Sequence, residues 1–518
     1  MTSEQVKQNI YRNSISNYIF LVLRLGLGVV VFRLIYQSLT PEEFGFWAVL
    51  WSVFGYGILL DFGFGFTAQK RVAELSVHQD WPQLSKILST IFFTYVGIAT
   101  LMVLTGLVGA PYIIDFFRIT PENRERFENV LMVFLCGMGL AFPLGIFPEI
   151  LRGQQRISLA NYILISGYIV SFVLVCLCVK LGWGLIALLI ITLSCSIASE
   201  IVCGICAMRF MPEVRLSPTL FSKEMVSGTM RFSVYAYITT LTTIILTRTD
   251  QLVISTALAV SAVAIYQAGA KIAEMFTSFA LQIPDTLSPV AAHLHAKGDK
   301  EFLRNLLVSG TRFSVMLATP LYLICAFYMD GALWILTGDK NIHSEAFWVG
   351  QVLLFWGYMT ILTQSVSKRI FMMCGHEKRL MWLGVGEAVL NLGLSLGLIF
   401  IFRNVLCVAI GSLVATFFFG WFYLWPWAAR EANMSGMLLA RKVLLPTWGA
   451  SLPLLALIAI ERNITQLDFH ENLVLFLVEC SLACAVAAFG MWKLGLNEGE
   501  RIRFAAQFGK LFSRSTAA

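Results

Sequence analysis

The stretch LTPEEFGFWAVLWSVFGYGILLDFGFGFTAQKRVAELSVHQDWPQLSKIL, Leu39–Leu88, organises the chain. A short acidic turn, Pro41-Glu42-Glu43, opens a wholly apolar run that closes in Asp61-Phe62-Gly63-Phe64-Gly65. A basic amphipathic loop with Lys70, Arg71 and Lys86 comes next. The same order of turn, apolar run and polar loop returns 219 residues later without a gap: Leu39 falls on Leu258, Thr67 on Thr286, Ala73 on Ala292, Leu75 on Leu294, Asp80 on Asp299, Leu84 on Leu303 and Leu88 on Leu307. Upstream, Arg12 falls on Arg231 and Ser14 on Ser233 at the same offset. Seven identities over fifty positions carry little alone. Together with the matched layout they indicate two copies of one helical unit.

The chain has 518 residues, of which 58% are hydrophobic and only 13% charged, with mean hydropathy +0.75. A soluble domain carries about twice that charged fraction. A water-soluble fold is excluded, and so is a sizeable extramembrane domain. The apolar runs have the length of membrane helices; barrel strands would appear as short alternating segments. The net charge of +7 does not point to nucleic acid, because Lys and Arg are spread over the loops between apolar runs. The 11 cysteines lie almost entirely inside those runs and behave as small hydrophobes. Cys203 and Cys206 have metal-like spacing but no partner pair or nearby His, so they read as packing residues. Residues 1–14 are polar, and no cleavable signal is evident.

The expected architecture is an all-α polytopic membrane protein with about 14 transmembrane helices. The spans fall near 15–37, 44–66, 87–110, 129–148, 158–179, 184–208, 229–256, 262–290, 306–328, 346–367, 380–402, 405–428, 443–460 and 470–492. With a cytoplasmic N-terminus, the inner connecting segments hold 25 Lys and Arg and the outer ones 7; six more lie inside spans, which accounts for all 38. That asymmetry obeys the positive-inside rule and puts both termini in the cytoplasm. The discordant outer loop, 111–128, offsets Arg118, Arg124 and Arg126 with Asp115, Glu122, Glu125 and Glu128.

The duplication places spans one to six in an N-lobe, 1–208, and spans seven to twelve in a C-lobe, 229–430. A cytoplasmic linker, 209–228, joins them. Six spans is an even number, so the copies are parallel repeats related by an axis along the membrane normal. The last two spans, within 431–496, have no counterpart. The tail, 497–518, sets Phe504, Phe508, Leu511 and Phe512 among Arg501, Arg503, Lys510 and Arg514. That pattern suits a basic amphipathic helix on the anionic inner leaflet, and equally a solvated tail.

Ionisable groups at membrane depth are expensive and are functional candidates by default. Arg24 lies near the middle of the first span. Arg33 lies near its outer end and can snorkel to water. Arg231 and Arg312 sit near inner ends as interfacial anchors. Arg248 and Asp250 sit toward the outer half of the seventh span. Lys271 and Glu274 share one face of the eighth, where they either neutralise each other or serve a substrate. Glu387 and Asn391, one turn apart in the eleventh, form a face able to hold a cation or a proton. Glu200 and Glu479 are further candidates. For each residue the competing reading is an interhelical hydrogen bond that pins packing. The first, seventh and eighth spans open the two repeats, where transporters of this design place their sites. Arg24, Arg248 and Lys271 are therefore the candidate substrate-binding cations, and Asp250, Glu274, Glu387 and Asn391 the candidates for gating or ion coupling. Gly393-x-x-x-Gly397 and the prolines of spans four, eight and nine read as packing and kink devices. No metal site is spaced around His293 and His295, no phosphate-cradling loop is present, and no cofactor is expected.

Three motifs carry a family resemblance. Leu39–Ala48, Leu59–Gly65 and Asp250–Ile254 followed by Ala264-Ile-Tyr266 resemble the polysaccharide transporter branch of the multidrug/oligosaccharidyl-lipid/polysaccharide exporter superfamily, the O-antigen and exopolysaccharide flippases of bacteria. Pro289–Asp299 is similar to that family's exit from the eighth helix. The resemblance implies an inner-membrane flippase moving an undecaprenyl-diphosphate-linked oligosaccharide to the periplasmic leaflet by alternating access. It further implies a cation-lined cavity, a coupling ion such as H+ or Na+, and polysaccharide polymerase or export proteins as partners. A drug or small-cation antiporter of the same superfamily is the alternative, and would need an acidic, aromatic cavity. A membrane glycan polymerase or ligase would need a large outer loop, and the longest here, 111–128 and 329–345, are short.

Overall fold

The computed structural model describes residues 3–55, 64–117, 119, 123–222, 234–281, 284, 300–339, 344–464 and 473–502. Among the described residues there is no strand, and the chain is a polytopic all-α membrane protein. Ten helical stretches are long and apolar enough to cross a membrane. They coincide with the third to sixth and ninth to fourteenth expected spans. The other four expected spans fall on helices that border undescribed residues.

The helices run in chain order as α1 (Ser3–Ser38), α2 (Pro41–Gly55), α3 (Phe64–His78), α4 (Trp81–Phe116), α5 (Arg124–Leu144), α6 (Ile146–Gly153), α7 (Ile157–Lys180), α8 (Gly184–Phe210), α9 (Val234–Ala257) and α10 (Val260–Ala280). They continue as α11 (Lys300–Phe327), α12 (Met329–Thr337), α13 (Ser344–Thr360), α14 (Val366–Met373), α15 (Glu377–Phe402), α16 (Leu406–Phe419), α17 (Trp425–Glu431), α18 (Gly436–Ile464) and α19 (Leu473–Gly490). Two π-helical turns, Ile361–Ser365 and Gly420–Leu424, interrupt long helices of the second half, and a third, Met491–Gly495, ends α19.

The chain forms two compact units: Met1–Ala264 with Leu336–Gly338, and Ile265–Ile335 with Asp339–Ala518. In the first, the organising stretch explains itself locally. Thr40 and Glu43 make a capping box: the Thr40 backbone N–H donates to Glu43 Oε2 at 2.9 Å, and the Glu43 N–H donates to Thr40 Oγ1 at 3.3 Å. Asp80 caps α4, accepting from the Gln83 N–H at 3.1 Å, with Pro82 in the first turn where a missing N–H costs nothing. Pro143 stands at the end of α5, where the long span breaks before α6. One core of the first unit gathers Phe64, Leu84, Leu88, Tyr95, Ile150 and Leu151 with Cys203, which is buried among them.

The chain after α8 is bonded onto α4. Arg215 N–H donates to Ser85 Oγ, Ser217 N–H to Ser89 Oγ and Ser222 N–H to Thr90 Oγ1, each at 3.1 Å. The first turn of α5 keeps its two arginines paired: Arg124 with Asp115 at 2.7 Å and Glu128 at 3.2 Å, and Arg126 with Glu43 at 2.5 Å. Of the acidic residues expected to offset the charge of 111–128, Asp115 and Glu128 pair with Arg124, whereas Arg126 uses Glu43; Arg118 and Glu122 lie outside the described residues. Helix α2 approaches the start of α10 so closely that a Cβ on Gly45 would lie 1.9 Å from the Val260 carbonyl oxygen.

In the second unit α15 packs on α16, α13 on α16, and α11 on α18. A Cβ on Gly411 would come within 2.9 Å of the Ser395 backbone nitrogen, so α15 and α16 meet there backbone to backbone. Gly393 and Gly397, expected to make such a contact, face open space instead. The close approach uses Gly411 and Ser395 on a different face of α15.

Much of the second repeat copy, 285–299, lies outside the described residues, as do Arg231, Ser233, His293, His295 and the tail beyond Ile502.

Candidate functional site

The first unit carries three of the candidate groups. Arg24, on α1, is exposed and makes no ion pair among the described residues. An arginine presented outward from its helix keeps its whole fork of donors available. Farther along α1, Arg33 and Gln37 lie against Gly338, whose φ of +75° suits a glycine. Arg248, half-buried on α9, offers its backbone carbonyl to Ser52 Oγ of α2. Ser52 also reaches Gln251 Oε1 at 3.1 Å. Ser52 and Gln251 are buried at this α2–α9 contact, and the neighbouring Asp250 is buried too. Buried polar side chains facing each other across two helices hold them in one register.

The second unit carries Lys271, Glu274, Glu387 and Asn391. Lys271 Nζ donates to Glu274 Oε2 at 2.9 Å, with side chains 27% and 50% exposed. Of the two readings the spacing allowed, the geometry is that of an i,i+3 pair whose members neutralise each other in this state. At such exposure the pair is worth a fraction of a kcal/mol, about 0.2–0.5, so a competing anion could take the lysine.

Glu387 is different. It is 2% exposed and sits where three helical stretches converge. Its Oε1 accepts from Gln364 Nε2 at 2.8 Å and from Thr416 Oγ1 at 2.9 Å, and its Oε2 accepts from Lys368 Nζ at 3.0 Å. One turn on, Asn391 Nδ2 donates to Ser412 Oγ at 2.8 Å. The residues come from the π turn Ile361–Ser365 and α14, from α15, and from α16.

Lys368 escaped the reading of the sequence because it falls one residue beyond the expected tenth span. A signal was present. Lys368 stands eight residues before His376 and Glu387 eleven after it, so a helical hairpin turning there brings them to similar depth.

The remaining candidates are placed singly. Glu200 is half-buried on α8, and Glu479 is buried on α19. Near the far end of α18, Tyr328 donates its hydroxyl to Glu461. Arg312, expected to anchor at the membrane interface, pairs with Glu500 and stacks over Phe313. It ties α11 to the start of the tail. Among the described residues no cluster of His, Cys, Asp and Glu could hold a metal ion.

Comparison with known proteins adds three findings. A family model described as polysaccharide biosynthesis protein matches residues 10–295. An uncharacterized membrane protein of Methanocaldococcus jannaschii is 24% identical over 418 residues, covering 75% of each chain. Among solved structures, the lipid II flippase MurJ in an inward closed conformation superposes with TM-score 0.71 at 14% identity, over 92% of this chain and 97% of that one. An inward-facing multidrug resistance MATE family transporter of the MOP superfamily gives TM-score 0.67 at 16% identity, over 79% of this chain and 94% of the other. At these identities the structural likeness is one of fold.

Proposed function

Because the chain belongs to the polysaccharide biosynthesis protein family, which it matches over residues 10–295, we propose that it is a flippase for an undecaprenyl-diphosphate-linked oligosaccharide. It carries the head group from the cytoplasmic to the periplasmic leaflet of the bacterial inner membrane by alternating access, with both termini in the cytoplasm. The observation that supports this reading is the set of membrane-depth cations, above all Arg24, exposed and without an ion pair among the described residues. A diphosphate cannot cross hydrocarbon, and arginine and lysine can replace its hydration through charge-assisted, bidentate hydrogen bonds. Arg24, Arg248 and Lys271 bind the diphosphate. Asp250 and Glu274 hold the cations between cycles and yield them to the substrate, as the half-exposed Lys271–Glu274 pair is suited to do. Glu387 and Asn391 belong to gating or to coupling with H+ or Na+ or with the membrane potential. Polysaccharide polymerase or export proteins receive the product.

The antiporter alternative shares the fold of the MATE transporter. It needs an acidic group available to a cationic substrate, and Glu387 is taken up by Lys368, Gln364 and Thr416. That occupancy favours the flippase.

The test is complementation of a strain lacking its own flippase, with protein abundance measured in parallel. Arg24→Ala and Arg248→Ala should stop surface glycan export at unchanged abundance. Arg24→Lys should do partial damage, since the charge stays and the fork is lost. Normal export by both alanine variants would make these residues packing anchors and end the diphosphate reading.

A further inference from the structure

A face of Glu387 and Asn391 reads in the sequence as a place for a free cation. The structure puts an ammonium there. Lys368 Nζ lies 3.0 Å from Glu387 Oε2, with the lysine side chain 34% exposed and the glutamate 2%. The other carboxylate oxygen is also taken. Thr416 Oγ1 accepts the Trp356 indole N–H at 2.8 Å, which leaves its own proton for Glu387. Gln364 Nε2 faces Glu387 Oε1 at 2.8 Å and the Thr416 carbonyl at 3.2 Å. Both are acceptors, so the amide nitrogen, not its oxygen, points at the carboxylate.

Every group converging on Glu387 is therefore a donor. A metal cation needs several oxygen lone pairs around it, and here it would meet an amide N–H, a hydroxyl proton and a positive charge. The pair is also complete as it stands. A buried carboxylate is tolerated only with a partner charge and satisfied oxygens, and Lys368 with the two hydrogen bonds supplies both.

We propose that Lys368 is the resident cation of the Glu387 site, a tethered ion standing where a diffusible coupling cation would bind. The site then acts as a gate between α14, α15 and α16, a role that rests on the transport reading above, whereas the identity of the cation does not. The release is built into the helix. Lys368 stands three residues beyond the π turn Ile361–Ser365. A π turn holds one residue more than an α turn, so its return to α geometry rotates the downstream helix by about 100° and carries Lys368 off Glu387. The second π turn begins at Gly420, where a Cβ would lie 2.2 Å from Thr363 Oγ1. The two irregular turns therefore pack on each other and shift together.

The test uses purified full-length protein in detergent. Its melting temperature is measured in sodium chloride and in N-methyl-D-glucamine chloride, together with direct binding of radioactive sodium. The wild type should melt alike in both salts and bind no sodium at this site. Lys368→Met should lower the melting temperature by several degrees and make it rise with sodium, because the carboxylate is left without its counter-charge. Adding Glu387→Gln to that variant should recover most of the loss and remove the sodium response. A sodium response in the wild type that Glu387→Gln abolishes would overturn the proposal. So would simple additivity of the two single changes. Neither readout involves export, so a failure of the flippase reading leaves this result separately decided.

Discussion

Glu43 shows how much one side chain in the organising stretch does. It closes the capping box with Thr40 and pairs with Arg126 of α5, while Glu42 accepts from Asn123 Nδ2 at 2.9 Å. The acidic turn is thus both a helix start and a clamp on the first turn of α5 and the residue before it. Glu43→Ala should cost about 1 kcal/mol for the cap and at most about 1 kcal/mol more for the pair with half-exposed Arg126. Glu43→Gln keeps a side-chain oxygen for the Thr40 N–H and should cost less than the alanine. Chemical denaturation of the two variants in detergent decides; equal losses would show that the cap contributes nothing. At this scale the sequence was legible where partners are local. The Thr40–Glu43 spacing and the Lys271–Glu274 spacing both announce their contacts. Lys368 and Glu387 stand 19 positions apart, and only the helical hairpin brings them within 3.0 Å.

Helix against helix, glycine separates contacts that the sequence could suggest from those it could not. Gly393-x-x-x-Gly397 has the spacing of a packing motif, yet neither glycine has a neighbour within 4 Å of an added Cβ. Gly45 carries no such signature, and an added Cβ there would collide with the Val260 carbonyl oxygen. The reason is that a spacing motif specifies a smooth face, not the element laid upon it. Gly393→Ala should stabilise the protein by about 0.5–1 kcal/mol, the helix-propensity difference. Gly45→Ala should destabilise it by about 1–3 kcal/mol, because backbone cannot give way as a side-chain tip can. Thermal melting of the two variants checks the pair, and a Gly45→Ala protein as stable as wild type would contradict the close α2–α10 approach. The π turns at Ile361–Ser365 and Gly420–Leu424 were likewise invisible, since neither ILTQS nor GWFYL carries a residue type that separates a π turn from an α turn.

Across the whole molecule, composition and hydropathy were sufficient for the class: an all-α polytopic membrane protein, with ten of the expected spans matched by helices of spanning length. Long apolar runs have only this outcome in a membrane. The family was legible in the motifs at Leu39–Ala48 and Leu59–Gly65 inside the matched region. The substrate is carried by neither fold nor hydropathy. It rests on which cations lie at membrane depth, and Arg24 is the residue on which that reading turns. The most direct measurement places the purified protein in liposomes with a fluorescent undecaprenyl-diphosphate oligosaccharide and records the fraction reachable by an external reagent. The wild type should make the label in both leaflets reachable within the assay, and Arg24→Ala should leave about half protected, as in protein-free liposomes, while remaining folded by its melting curve. Wild-type protein that leaves the inner-leaflet label protected, or an Arg24→Ala variant that exposes it as fast as wild type, would contradict the account.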